Sequence, residues 1–195
     1  MMAKTHFLTT VQDQDLREKL WGLFCKAEMK AKWFPISRND WVEITSFIES
    51  SDTRWRDGQI EINPKWDDLG QIFHEVFHSA FHYSPLWRDS VNNSWGDGFC
   101  DAFRYFMEEK YLSDSKWYAN IGKYLTMSID EIIEKPTNMG WKLEYCIPAT
   151  RIINKANKNY EDFKKLWQEL NRRPNNPLEE YFDFPKRELR KKFNL

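Results

Sequence analysis

The hydrophobic pattern of the chain changes character twice. Over residues 11–34 the apolar positions recur every three or four residues, which predicts an amphipathic helix. Between residues 40 and 63 apolar and polar residues alternate, first over 41–50 and again over 59–63, on either side of a turn-like Arg56-Asp57-Gly58. The alternation predicts two short strands that are adjacent and antiparallel.

The pattern after these strands is mostly helical. Asp67 or Asp68 is placed to cap a helix that runs to about Tyr83, where a Ser-Pro step ends it. This order of elements predicts an α+β fold, with a small, mostly antiparallel sheet and a predominantly helical C-terminal half. Asn159 is the predicted cap of the last of four further helices, which cover about 95–112, 114–134, 145–157 and 160–171.

Composition favours a single packed domain. A length of 195 residues suits one domain, which we expect to have a core over about 40–171 and a tail at 172–195. Ten Trp and fourteen Phe bury large apolar areas and are typical of a globular interior. The 29 basic and 30 acidic side chains nearly cancel, which argues against a nucleic-acid partner in spite of a short basic cluster near residue 190.

The cysteines and the apolar runs indicate in which cellular compartment the protein is found. Cys25, Cys100 and Cys146 lie far apart with no CxxC pattern, so we expect neither a disulfide framework nor a zinc site made of thiolates alone. The first twenty residues lack the apolar core of a signal peptide. No stretch approaches the ~18 apolar residues that a membrane helix requires. We therefore expect a cytoplasmic protein without a membrane partner.

The segment His74-Glu75-Val76-Phe77-His78 is an HExxH motif inside an apolar, helical run. Residues four apart on a helix lie one above the other, so the two imidazoles can converge on one Zn²⁺ at roughly 2.0–2.1 Å. Glu75 can then accept a proton from a water whose pKa the metal lowers from about 15.7 towards ~7. The motif predicts one zinc ion per chain, with His74 and His78 as ligands and Glu75 as general base.

The third ligand of this zinc is His82 or a carboxylate. His82 continues the same spacing of four, but it lies about 12 Å along the helix axis from His74. One ion cannot span that distance. We therefore expect His82 to support the ligands or line the pocket.

Eighteen residues separate His78 from Asp97, which lies in Gly96-Asp97-Gly98-Phe99-Cys100. With this spacing the chain resembles the gluzincin metallopeptidases over about residues 58–165, and the resemblance implies a zincin-like fold. It also implies that Asp97 is the third zinc ligand, in place of the usual glutamate. Asp101, four residues on, resembles the aspartate that orients a zinc-binding histidine in that family. Since aspartate is one methylene shorter than glutamate, the two helices approach more closely, or Asp101 is the ligand and Asp97 its support.

The resemblance implies further roles outside the zinc ligands. An antiparallel edge strand over 58–63 would pair with an extended substrate, which makes Ile60 and Glu61 candidate substrate-binding residues. Tyr145 would stabilise the oxyanion from the mouth of a helix whose first turn holds Pro148. Apart from the resemblance, Arg104 lies in the same predicted helix as Asp97, where we expect it to form a surface ion pair or to pair with a substrate carboxylate.

The expected activity is zinc-dependent hydrolysis of a bond in a peptide or protein substrate. A non-catalytic domain in which zinc pins helices for a partner is the first alternative. The retention of Glu75 argues against it, since a purely structural site needs no base. A zinc hydrolase that acts on a non-peptide substrate is the second alternative.

Overall fold

The computed structural model describes residues 13–35, 41–50, 53–56, 58–63, 68–82, 84, 94–134, 143–172 and 178–182. These residues form an α+β fold that is predominantly helical, as the pattern predicts. In order, the elements are α1 (Gln14–Ala31), β1 (Ser46–Glu49), β2 (Arg54–Arg56), β3 (Gln59–Ile62), α2 (Gln71–Phe81), α3 (Ser94–Tyr111), α4 (Lys116–Tyr124), α5 (Ile129–Glu134), α6 (Leu143–Lys155), α7 (Tyr160–Arg172) and α8 (Leu178–Tyr181).

The sheet has three strands in the order β1-β3-β2. β1 and β3 are neighbours, as predicted, but they run parallel, with Phe47 opposite Ile60. The prediction of an antiparallel pair is wrong because an additional strand, β2, reverses the chain between them and pairs antiparallel with β3. The reversal from β2 into β3 uses Gly58 at φ +83°, a backbone conformation that favours glycine. The sheet is therefore mixed, and β3 lies at its centre.

Helix α2 is almost entirely buried. Its apolar face packs on α3, where the ring of Phe77 stacks on that of Phe103 with centroids 4.6 Å apart. The helix begins after Gly70 without a side-chain cap. Asp67 lies outside the described residues, and Asp68 does not cap the helix as predicted, because its carboxylate is bound by Arg104 of α3. The start of α2 is thus held by a contact distant in sequence.

Helix α3 lies between α2 and α6 and approaches α6 closely. A Cβ on Gly98 would lie 2.6 Å from Cβ of Pro148, so only glycine permits this approach. Helix α6 begins at Leu143, so Pro148 lies inside it. The prediction that Pro148 is in the first turn of this helix is therefore wrong. Gly98, which follows Asp97, therefore allows the close approach of α3 to α6.

The remaining helices mostly follow the prediction. The expected helix over 114–134 is two helices, because Ser128 and Glu131 form a reciprocal capping box that starts α5. Asn159 caps α7 as predicted, since its Oδ1 accepts from the backbone N–H groups of Glu161 and Asp162. In the described part of the chain, no helix has both the length and the apolar character needed to cross a bilayer.

The described part of the C-terminal tail packs on the core. The ring of Phe182, just after α8, stacks on Trp95 of α3 at a centroid distance of 4.9 Å. This contact extends the apolar interior to the end of α3 that carries Asp97.

Candidate metal centre

Helix α2 presents both histidines of the HExxH motif to α3. The helical spacing of four brings the two rings together, and the Nε2 atoms of His74 and His78 lie 3.2 Å apart. Both side chains are largely buried, at 11% and 13% exposure. Two imidazole nitrogens at this distance can share a hydrogen bond or bind one cation between them.

Helix α3 adds a carboxylate to this pair. Oδ1 of Asp97 lies 3.6 Å from Nε2 of His74 and 3.5 Å from Nε2 of His78. The aspartate comes from the first turn of α3, where the approach of α3 to the core brings its short side chain within reach. Three potential ligand atoms from two helices therefore surround one point.

The spacing of these three atoms fits a tetrahedral zinc site. Donors bound to one tetrahedral metal at roughly 2.0–2.1 Å lie about 3.3–3.4 Å apart. A triangle with the observed edges of 3.2, 3.5 and 3.6 Å has a point about 2.0 Å from all three atoms. Two imidazole nitrogens and one carboxylate oxygen are also the ligand types of catalytic zinc.

Asp101 lies one turn further along α3 and contacts the other side of His74. Its Oδ1 is 2.7 Å from Nδ1 of His74, so the imidazole donates there and directs Nε2 toward Asp97. Both aspartates thus lie beside His74, but only Asp97 is close to Nε2 of both histidines. This placement favours Asp97 as ligand and Asp101 as support, and the assignment stays a prediction.

The two histidines have opposite pKa shifts. Burial disfavours the charged form of His74, but the carboxylates of Asp101 and Asp97 outweigh it and hold the pKa of His74 well above its usual value. Burial and the neighbouring His74 lower the pKa of His78 to about 3. Metal ions that bind histidine compete with protons for the same ring nitrogens.

Glu75 is held beside the histidines by two donors. Nε2 of Gln71, one turn earlier on α2, donates to its Oε1 at 3.0 Å, and the backbone N–H of Trp55 in β2 also donates to its carboxylate. Burial raises the pKa of Glu75, and the charge of His74 and these hydrogen bonds offset the rise only in part. A carboxylate so held has a fixed direction and an increased affinity for a proton, as a general base requires.

Arg104 fixes the orientation of Gln71. Its Nη1 donates to Oε1 of Gln71 at 2.7 Å, and since arginine only donates, the amide NH₂ must face Glu75. Arg104 is 2% exposed and also donates to Glu108, at 2.5 Å, and to Asp68. Neither predicted role of Arg104 agrees with this position, because the guanidinium is buried and its donors are used within the protein.

Strand β2 lies directly against the candidate centre. The indole of Trp55 is nearly parallel to the ring of His78, at 6.1 Å and 26°, and its Nε1 donates to Oγ of Ser79 at 3.0 Å. His82 packs on the same indole at 5.0 Å. His82 therefore lies beside the indole that faces His78, and its expected role in lining the site stays a prediction.

The predicted substrate-binding residues Ile60 and Glu61 lie on the central strand. Ile60 is fully buried, and Glu61 accepts from Nε of Arg54 at 2.7 Å and from Oγ of Ser50 at 3.2 Å. Because β3 has a hydrogen-bonded neighbour on both sides, the prediction that it pairs with a substrate as an edge strand is wrong. Tyr145 belongs to the first turn of α6, and its side chain lies outside the described residues.

Three residues near the centre were not identified from the sequence. Gln71 precedes Glu75 by four, a spacing that marks helical neighbours, so this contact was detectable. Trp55 lies in a three-residue strand too short to show alternation. Cys100 follows Asp97 by three on α3, and its Sγ, with a ring nitrogen of His74 and of His78, forms a group whose atoms lie within 4.8 Å of one another.

Comparisons of the chain with protein-family models, with curated proteins and with solved structures gave no match.

Proposed function

We propose that the chain is a zinc-dependent hydrolase that cleaves bonds in a peptide or protein substrate, as the gluzincin resemblance implies. One observation carries the proposal: three potential ligand atoms from His74, His78 and Asp97 lie 3.2–3.6 Å apart around a single point. Glu75 lies beside that point on the same helix. A site that only stabilised the fold would not need such a base.

Each residue around the point has a role in the proposed reaction. His74, His78 and Asp97 hold the zinc, and Asp101 keeps His74 in the tautomer that directs Nε2 inward. When bound, zinc supplies Lewis-acid chemistry, which activates a water and polarises a carbonyl group. Glu75 accepts the proton of the attacking water and then delivers it to the leaving amine. Tyr145 stays our candidate for the oxyanion.

The substrate is expected to lie along β2 and not along β3. β2 is at the edge of the three-stranded sheet, next to the histidines. The backbone N–H of Trp55 reaches Glu75, so this edge of β2 faces the reacting groups. An extended peptide can add to such an edge as a further strand.

A zinc-stabilised domain without catalysis is the second candidate, and Cys100 is the observation that favours it. Structural zinc sites have four protein ligands, whereas catalytic sites keep one position for water. With the sulfur of Cys100 near both histidines, the chain holds a fourth potential ligand.

The test combines metal analysis with peptide cleavage in the wild type and in Glu75→Gln. We expect about one zinc per chain in both proteins. Loss of the general base should lower the cleavage rate of a mixed peptide library by about 10²–10⁴-fold. Glu161→Gln, at an exposed position of α7, is the matched control and should leave both zinc content and cleavage unchanged.

Other results decide between the alternatives. A wild-type protein that binds no zinc would overturn the proposal. Zinc in both proteins with no cleavage in either would favour the structural domain, and cleavage of esters or other small substrates alone would favour a non-peptide hydrolase.

A further inference from the structure

We infer that the thiolate of Cys100 is a fourth protein ligand of the metal, which gives a His₂AspCys centre when no substrate is bound. The inference rests on the proposed zinc site. It goes further because it assigns a sulfur ligand that the HExxH motif and the spacing to Asp97 do not imply.

The three residues of α3 that contact the histidine pair share one helical face. Asp97 and Cys100 are three apart, and Asp101 is four residues after Asp97, so all three project toward α2. Asp97 and Asp101 both lie within 3.6 Å of a ring nitrogen of His74. Cys100 is between them in sequence, and its sulfur is directed at the same pair of rings.

The distances leave room for a metal–sulfur bond. A tetrahedral zinc with Zn–N near 2.0–2.1 Å and Zn–S near 2.3 Å separates nitrogen from sulfur by about 3.5 Å. The sulfur of Cys100, one ring nitrogen of His74 and one ring nitrogen of His78 lie within 4.8 Å of one another. Rotation about χ1 of Cys100 moves the sulfur while its backbone stays in place, so a change of side-chain rotation can bring it to bonding distance of a shared metal.

The burial of Cys100 matches this role. The residue is fully buried, and its neighbourhood includes the carboxylates of Glu75, Asp97 and Asp101. A divalent metal that binds the sulfur takes the place of the thiol proton, which passes to the solvent.

A fourth protein ligand has a consequence for catalysis. It takes the position that a water needs, so the sulfur must rotate away before Glu75 can act. The centre would then rest in a closed form, and removal of the thiol would open it.

X-ray absorption spectroscopy at the zinc edge tests the inference on the full-length protein loaded with one equivalent of zinc. We expect one sulfur scatterer at about 2.3 Å in the wild type, together with nitrogen or oxygen scatterers near 2.0–2.1 Å. Cobalt-loaded protein should show the intense near-ultraviolet charge-transfer band of a thiolate bound to cobalt. Both signals should vanish in Cys100→Ser, and the zinc dissociation constant should rise tenfold or more.

The other two cysteines supply the control. The double variant Cys25→Ser/Cys146→Ser keeps only Cys100 and should retain both sulfur signals. Zinc bound by nitrogen and oxygen alone in the wild type would overturn the inference and leave the proposed hydrolase intact. A sulfur signal that survives in Cys100→Ser would overturn it as well, and a wild type that binds no zinc would overturn both.

Discussion

Two buried polar clusters lie side by side between α2 and α3, and they are built on opposite principles. The arginine cluster, formed by Asp68, Gln71, Arg104 and Glu108, pairs a donor-only guanidinium with acceptors. The histidine cluster, formed by His74, Glu75, His78, Asp97 and Asp101, directs ligand atoms at one point. The first pairs its buried cation with acceptors of the chain, whereas the second surrounds the point that we propose for a metal ion.

The difference teaches how to separate structural from functional polar groups. Arg104 is 2% exposed, and in addition to its pairs with Asp68 and Glu108 its guanidinium lies over the ring of Trp117 at 3.9 Å. In the histidine cluster the carboxylates of Asp101 and Asp97 raise the pKa of His74, and the same negative charges would favour a bound metal ion. Gln71 belongs to the first cluster and touches the second, since it accepts from Arg104 and donates to Glu75.

The largest expected effect is on stability, and it comes from Arg104→Met. The change removes the cation and leaves Glu108 fully buried without it, so we expect the free energy of unfolding to fall by about 3–5 kcal/mol. Urea denaturation, with zinc and with a chelator, measures this loss. The loss should be the same in both conditions, because the arginine cluster does not bind the metal.

Lys32→Met is the matched control for this variant. Lys32 pairs with Glu28 at 2.9 Å, over the same spacing of four residues as Arg104 and Glu108, but the two side chains are 48% and 24% exposed. We expect a change below about 1 kcal/mol. Equal losses in the two variants would show that burial does not distinguish the arginine cluster from an ordinary surface pair.

Metal removal should affect only the histidine cluster. Zinc at 100 times its dissociation constant stabilises a one-site protein by about 2.7 kcal/mol. For a chain of this length, a chelator should therefore lower the melting temperature of the zinc-loaded wild type by roughly 5–10 °C. Differential scanning calorimetry measures the shift. His78→Ala should show almost no response to the chelator, and a wild-type response in that variant would place the metal elsewhere.

The smallest expected effect comes from the residue that joins the clusters. Gln71→Met removes the acceptor of Arg104 and the donor to Glu75, at a cost of about 1–3 kcal/mol. Zinc affinity should stay within about threefold of the wild type, since Gln71 contacts no proposed ligand. Chemical denaturation and a zinc titration measure the two quantities.

Gln14→Met is a close control for this variant. Nε2 of Gln14 donates to Oε1 of Glu18 at 3.0 Å, the same hydrogen bond at the same spacing, but in an exposed part of α1. This control should lose less than about 0.5 kcal/mol. If Gln71→Met also weakened zinc binding tenfold, the two clusters would be coupled and could not be treated as separate.

Much of the fold and of the centre could be predicted because its signals are local. Helical periodicity located α1, α2, α3 and α7 to within a few residues, and a spacing of four placed His74 over His78. The strand pairing was predicted wrongly since β2 has only three residues, two of them arginines. When β2 is overlooked, the alternating segments at 46–49 and 59–62 suggest two antiparallel strands. In such a pair β3 would be an edge strand of the sheet.

The sequence by itself determined which residues can share a helical turn, since 3.6 residues per turn follow from the backbone alone. It therefore determined the pairing of His74 with His78 and the position of Glu75 beside them. Only the tertiary structure decided how α2 and α3 meet, which depends on side chains that are distant in sequence. That packing directs Asp97 and Cys100 at the histidines and aligns Arg104 with Gln71. It also gives β2 the place beside the candidate centre that the family resemblance had assigned to β3.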